Sequence, residues 1–335
     1  MHDDSPLVSI CIPTYNRASS VLQAVRSALA QTYLNLEVIV SDDASLDDTC
    51  LLLNRIEDPR LVVRRNARRL GQVANRNRNL QLARGELIKF LDSDDSLDPS
   101  CVRDMSMALV DHPSVGLAFC RRRLVIDRRP TPDVNRWIQT YRNLHHAFGD
   151  LSPTNEGRRL LETWLTAAAS SSANWTRANW IGEPTAVMVR RRVLEACGGF
   201  DERTRLAPDI GLWLRVMARS DVAFIDAELV NYRVNTGSST SESEAASSGR
   251  RSWLERLWTL EALAADPKVT NTFPALLPVL AGARREAFRT VTKLGRGAEG
   301  RRYPISPYGR YLAARSGTLL GRSLAVPLLG PAAGA

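Results

Sequence analysis

At 335 residues with 44% apolar side chains, the chain has room for one large domain or two modest ones and enough apolar matter to bury a core, which excludes a disordered or fibrous class. Lys and Arg outnumber Asp and Glu 45 to 36, and the whole +9 excess lies in residues 250–335, leaving residues 1–249 neutral. The body therefore admits an acidic site, while the tail seeks phosphate on lipid or nucleic acid.

The segment MHDDSPLV is acidic and lacks the basic flank and apolar stretch of a secretory signal, and no apolar run reaches bilayer-spanning length, so the expected location is the cytosol. Cys11, Cys50, Cys101, Cys120 and Cys197 lie far apart without a CxxC pair, which argues for reduced, mostly buried thiols over zinc or a disulfide framework. His145 and His146 are neighbours whose side chains diverge on a helix or a strand, so no histidine metal site is expected.

From residue 7, β-rich runs alternate with amphipathic ones, the pattern of a parallel sheet with crossover helices. VSICIP and Leu36–Ser41 read as strands, joined by a helix within Ala18–Gln31 that places Val21, Leu22, Val25, Ala28 and Leu29 at helical spacing. Leu61–Arg65 and Glu86–Asp92 continue the strands around a helix over about 71–83, and Pro99 sits near the start of another helix. Val115–Cys120 is a further strand, whereas Arg121–Ile181 has no assignable periodicity. Thr185–Arg190 resumes strand character, Asp209–Arg219 is helical, and VAFID and LVNYRV read as two short strands. Thr236–Arg250 is Ser-rich and reads as a flexible linker, after which Trp253–Ala265 and Arg284–Leu294 are amphipathic helices, the second setting Ala287, Phe288, Val291 and Leu294 against Arg285, Arg289 and Lys293.

Two acidic clusters fall at strand ends, where ligands collect in open α/β sheets. In Ser41–Thr49, helix capping by Ser45 or Asp47 accounts for the later residues but not for the doubled Asp42 and Asp43, one of which is expected to face a ligand's hydrogen-bond donors. In Asp92, Ser93, Asp94 and Asp95 the carboxylates repel one another and call for a cation. Mg²⁺ or Mn²⁺ suits them, since such ions take one or two carboxylates and complete their shell with phosphate and water. A calcium loop would need Gly and Glu where Leu97 and Arg103 stand. The competing reading is a solvated, helix-capping loop. GRGAEG, Gly295–Gly300, follows a basic helix instead of a strand and is no dinucleotide fingerprint; the sequon at Asn174 means nothing without secretion.

VSICIPTYNR, SDDASLDDT, ARGELIKFLDSDD, GGFDE (Gly198–Glu202) and PDIGLWLRV (Pro208–Val216) resemble, in order, the motifs of family-two inverting glycosyltransferases of bacterial polysaccharide type. The resemblance covers about residues 5–235. It implies the α/β GT-A fold, a mostly parallel central sheet flanked by helices, here with a helical C-terminal extension. The halves of that domain would be 1–110 for the nucleotide sugar and 111–235 for the acceptor, with a linker over 236–250 and a basic helical region over 251–335.

The resemblance also implies roles. Pro13, Tyr15 and Asp43 fall where the family holds base and ribose, Arg76 where an Arg commonly serves the nucleotide site, and Asp92 and Asp94 on its Asp-X-Asp, whose last carboxylate binds the divalent metal on the diphosphate. Asp209 matches the catalytic base. Pro208 replaces the Glu usual before it, Asn79 stands where Gly is common, and Asn235 stands where many members have His, which weakens the case for a protein metal ligand there. Glu183, before a strand, is a candidate for the acceptor side, against an ordinary surface carboxylate; Trp213 and Leu214 read as core, and Arg121, Arg122 and Arg123 as a solvated basic run.

The expected activity is metal-dependent transfer of a sugar from a nucleotide-diphosphate donor to a saccharide or lipid-linked saccharide acceptor, in surface polysaccharide or glycolipid synthesis. Residues 250–335 are expected to touch the cytoplasmic face of an anionic membrane or to pack on the protein. The rival is a binding protein without turnover, either on the nucleotide fold or through the tail on nucleic acid; the tail lacks interleaved aromatic motifs, so no nucleic acid is expected.

Overall fold

The computed structural model describes residues 5–126, 157, 159–162, 165, 179, 181–204, 208–234 and 252–294. Most of Arg121–Ile181, the Ser-rich segment 236–250, Asn235, both neighbouring histidines, the sequon and the GRGAEG motif lie outside them. The chain divides into two compact units, Met1–Ser248 and Gly249–Ala335.

In the first unit, β1 (Val8–Thr14), β2 (Leu36–Asp42) and β4 (Leu87–Phe90) are buried on both faces, as strands covered by helices on either side must be. With β3 (Leu61–Arg65) they form the parallel run β3-β2-β1-β4. α1 (Val21–Leu29) turns Val21, Ala24, Val25 and Ala28 onto the face carrying Val8, Ile10 and Ile12. Of the expected stripe, Val21, Val25 and Ala28 are buried, whereas Leu22 and Leu29 are half-buried and Ala24 takes the remaining inward place. α2 (Thr49–Leu53) is a short helix after β2, and α3 (Gln72–Leu82) packs on β1 and β2.

Beyond β4 the sheet becomes mixed, because β7 (Val187–Arg190) runs antiparallel to both β4 and β6 (Val115–Ile126). A single 3-10 turn, Pro184–Ala186, precedes β7, so the strand expected from Thr185 starts two residues later. VAFID and LVNYRV are one continuous strand, β8 (Asp221–Val234), because its long parallel pairing with β6 absorbs the irregular middle through register shifts between Cys120 and Arg122. β5 (Ser96–Leu97) closes the order β3-β2-β1-β4-β7-β6-β8-β5 and pairs antiparallel with β8. α4 (Cys101–Val110), α5 (Arg191–Cys197) and α6 (Pro208–Met217) complete the unit. All five cysteines are free, and only Cys50 is not buried.

The second unit contains α7 (Ser252–Ala264), α8 (Pro267–Thr272) and α9 (Leu276–Leu294), the last starting eight residues before the predicted helix. Leu257, Leu260 and Leu263 of α7 and Leu276 and Leu280 of α9 are buried, and Arg256 bonds Glu286 at 2.7 Å. The apolar set Ala287, Phe288, Val291 and Leu294 lies outside the described side chains. No described helix is long and apolar enough to cross a membrane.

Candidate active site

The strand ends of β1 and β2 hold the first part of the site. Asn16 and Ala44 adopt positive φ, 50° and 59°, so both loops leave their strands through a conformation that a side chain disfavours. They are latched together: Asn16 N donates to Ser45 Oγ at 2.8 Å and Leu46 N to Asn16 Oδ1 at 2.8 Å. Tyr15 emerges here with the Arg69 guanidinium 4.1 Å over its ring.

The doubled aspartates divide the labour. Asp42 faces its own loop, accepting from Ser45 N and Ser45 Oγ, with Arg65 Nε at 3.4 Å. Asp43 accepts from Asn66 Nδ2, Leu70 N and Gly71 N at 3.0, 2.7 and 2.8 Å. Its donors come from the loop that enters α3, where Gly71 at φ 94° supplies the turn. Asp43 thereby sets the start of the helix that carries Arg76. Of the two predicted caps, Asp47 receives Thr49 N at 3.1 Å, whereas Ser45 turns to Asp42 and caps nothing.

At the end of β4 the crowded carboxylates separate toward three partners. Asp92 Oδ1 takes Arg76 Nη2 at 2.6 Å, and the guanidinium is almost fully buried. Asp94 stands 3.8 Å from Arg17 Nη2 with its side chain 20% exposed. Asp95 turns inward, accepting from Thr185 Oγ1 at 2.6 Å and Arg233 N at 2.8 Å. Burial, with the charges of Asp94 and Asp92 behind it, raises the Asp95 carboxyl well above the usual range. Thr185 Oγ1 also accepts Asp92 N at 3.0 Å, and beneath it the buried ammonium of Lys89 donates to the carbonyls of Thr185 and Phe90. The loop is thus seated on a polar floor. Among the described residues no three His, Cys, Asp or Glu side chains gather into a closed metal cage. Hard carboxylate oxygens beside partly exposed Asp94 suit an ion that needs one or two protein ligands.

α6 presents Asp209 in its first turn, just after Pro208, whose missing N–H costs nothing there. Asp209 is 9% exposed and accepts from Asn179 Nδ2 at 2.8 Å. Burial pushes its carboxyl up, opposed by the Arg76 guanidinium, the Asn179 bond and the N–H groups of Asp209 and Ile210. Trp213, one turn on, is core as predicted: it packs with Phe90 and Phe200, centroids 5.9 and 6.2 Å away, and Nε1 donates to Gly182 O at 2.9 Å. Arg76 completes the layer with Cζ 5.9 Å from the Phe200 ring.

Glu183 is ion-paired with Arg122. Arg122 is 4% exposed, so the expected solvated basic run fails at its middle residue, while Arg121 and Arg123 pair with Asp226 and Glu228. Strand alternation explains it: Arg122 is the inward position of three, and burial there demands a partner.

Arg76 bonds Asp92 and acts electrostatically on Asp209, while Asp43, Pro13 and Tyr15 occupy neighbouring strand ends. Sequence reasoning missed Asn179, Thr185 and the inward turn of Asp95. Asn179 and Thr185 lack any local motif, and only their distant partners reveal them.

The family model described as Glycosyl transferase family 2 matches residues 9–196. The Uncharacterized protein MT1568 of Mycobacterium tuberculosis (strain CDC 1551 / Oshkosh) is 36% identical over 267 residues, 80% of this chain and 78% of that one. The UDP-Glc:alpha-D-GlcNAc-diphosphoundecaprenol beta-1,3-glucosyltransferase WfaP of Escherichia coli is 46% identical over 89 residues, 27% of this chain and 36% of that protein. S. aureus TarS 1-349, solved in complex with UDP-GlcNAc, superposes with a TM-score of 0.61 at 16% identity, over 96% of this chain and 94% of that one. The mannosyltransferase PcManGT from Pyrobaculum calidifontis, in complex with GDP-Man and Mn2+, gives 0.54 at 20% identity, over 96% of this chain and 89% of that one. At these identities the structural likeness is one of fold.

Proposed function

Since the chain belongs to glycosyl transferase family 2, we propose that it is an inverting, divalent-metal-dependent glycosyltransferase with Asp209 as its base and Asp94 as its metal ligand. The observation that carries the reading is the buried Arg76, bonded to Asp92 of the acidic loop and charge-coupled to buried Asp209. Pro13 and Tyr15 hold base and ribose, with Asp43 bracing the loop ahead of α3 and Arg76 and Asp92 ordering the nucleotide side. Asp94, which like Asp92 keeps part of its side chain exposed, takes the metal together with the diphosphate. A bound Mn²⁺ or Mg²⁺ supplies Lewis-acid stabilisation of the departing nucleoside diphosphate.

Asp209, ionised, accepts the proton of the acceptor hydroxyl as that oxygen attacks the anomeric carbon. Attack comes from the face opposite the leaving group, so the configuration inverts. Arg76 favours the anionic form of Asp209 and offsets part of the burial that opposes it. WfaP carries a lipid diphosphate in the name of its acceptor, which supports a lipid-linked saccharide acceptor in surface polysaccharide or glycolipid synthesis. The +9 charge of residues 250–335 supports peripheral contact with the cytoplasmic face of an anionic membrane.

A screen of UDP- and GDP-sugars for nucleotide release, with and without Mn²⁺, tests this. Metal-dependent release from one sugar is expected; release from none, or equal release in excess chelator, overturns it.

A further inference from the structure

Asp209 is held from outside its own helix by one described side chain, Asn179, which stands in the chain 30 residues earlier. Asn179 uses both ends of its amide. Nδ2 donates to Asp209 Oδ2 at 2.8 Å, while Oδ1 accepts Gly182 N at 3.1 Å. The amide orientation is thereby fixed, because an exchanged one would set oxygen against carboxylate and NH₂ against N–H.

Gly182 is itself immobilised. Its φ of 93° lies where glycine is favoured, a Cβ there would run into the Arg122 guanidinium, and its carbonyl takes the indole N–H of Trp213. Trp213 stands on the helix that carries Asp209, so the loop Asn179–Glu183 is bonded to that helix at two points, through Asn179 and through Gly182. The next residue, Glu183, is fastened to buried Arg122. A carboxylate in such a frame cannot swing about χ2 without breaking a bond whose other end is rigid.

We propose that Asn179 is the positioning residue of the base, fixing the rotation of the Asp209 carboxylate and tying it to the loop that ends in Glu183. The proposal rests on the reading of Asp209 given above. The charged group that acts on the carboxylate is Arg76 of α3, whose guanidinium also holds Asp92, while Glu183 of the adjoining loop is paired with Arg122. Deleting the Asn179 bond removes one donor that favours the anion, so the Asp209 titration midpoint must move up.

The test titrates Asp209 in the full chain by ¹³Cγ-aspartate NMR, its resonance identified by its loss in Asp209→Asn, and follows in parallel the pH dependence of nucleotide release from the screened donor. Asn179→Ala should raise the Asp209 midpoint and shift the rising limb of release upward, with kcat reduced about tenfold and donor KM unchanged, a modest part of the factor of about 10²–10⁴ that a positioned base supplies. The isosteric Asn179→Asp should raise the midpoint further by setting a second carboxylate against the first. Stability loss with both midpoints at the wild-type value would make Asn179 merely structural and overturn the proposal. If Asp209→Asn retains release, the base assignment falls instead; a moved midpoint in the Asn179 variants would still show the bond to be made.

Discussion

Arg76 Nη2 lies 2.6 Å from Asp92 Oδ1, and the same guanidinium favours the charged form of Asp209, so a single buried cation serves a carboxylate of the loop after β4 and one of the first turn of α6. Arg76 reaches that position because Asp43 anchors the loop ahead of its helix. Removing it should cost stability and base function together. Arg76→Met is expected to lose about 2 kcal/mol, less than the ~3–5 of a fully buried pair because Asp92 keeps 22% of its side chain exposed. Without the cation the Asp209 midpoint also rises, moving the acid limb of activity upward; Arg76→Lys keeps the charge and should restore much of that shift while binding donor poorly. Denaturant titration and a pH profile measure both, and an unmoved limb in Arg76→Met would detach the two residues.

Asp94→Ala should abolish metal-dependent donor binding and leave the fold intact. Asp95 and Asp92 keep their partners in the variant, and one negative charge leaves a crowded loop. Calorimetry with Mn²⁺ and the nucleotide sugar decides it. Wild-type affinity would remove Asp94 from the site.

Asp209→Asn is expected to bind donor normally and lose transfer by about 10² to 10⁴. In the native protein, burial places the Asp209 carboxyl above its ordinary value, so activity should rise with pH through a range higher than that of an exposed Asp. The stability sign is opposite. A carboxyl raised on folding stabilises most below its unfolded pKa and loses that contribution as pH rises through the folded one. Asp209→Asn should therefore hold its Tm better than wild type toward neutral pH, measured by thermal scans across pH. A steeper fall in the variant would contradict the raised value.

Asn79 is fully buried, and neither polar atom of its side chain has a hydrogen-bond partner among the described residues. Asn79→Ala removes both unpaired groups, each costing about 1–3 kcal/mol, and gains helix propensity against the small cavity it opens. A net gain near 1 kcal/mol is expected, raising Tm by about 2–4 °C. A fall in Tm of that size would mean that Asn79 is satisfied.

The basic tail should bring the full chain to vesicles containing anionic lipid at low salt, each basic group near the surface contributing about 1 kcal/mol. Sedimentation with anionic and neutral vesicles, at low and raised salt, reads this out. Failure to bind anionic vesicles at low salt removes the membrane contact and leaves packing on the protein as the role of the tail.

The parallel half of the sheet was legible in the sequence because each of its elements is specified locally: continuous apolar runs for strands buried on both faces, apolar residues at helical spacing for α1, and carboxylates at strand ends. Ordered motifs likewise supplied Asp92, Asp94 and Asp209 as the candidates for the proposed roles. What only the tertiary structure decided is which polar group meets which. Asp42 and Asp43 are neighbours of one residue type, yet one braces its own loop and the other the entrance of α3. Arg122 sits within a run of three arginines, yet strand alternation sends it inward to Glu183 while Arg121 and Arg123 stay at the surface. The bond from Asn179 to Asp209 spans 30 residues of chain and leaves no trace in either local pattern. Periodicity reports which side of an element is buried; the partner that a buried charge or amide requires is supplied by a distant segment, and only the folded chain brings the two together.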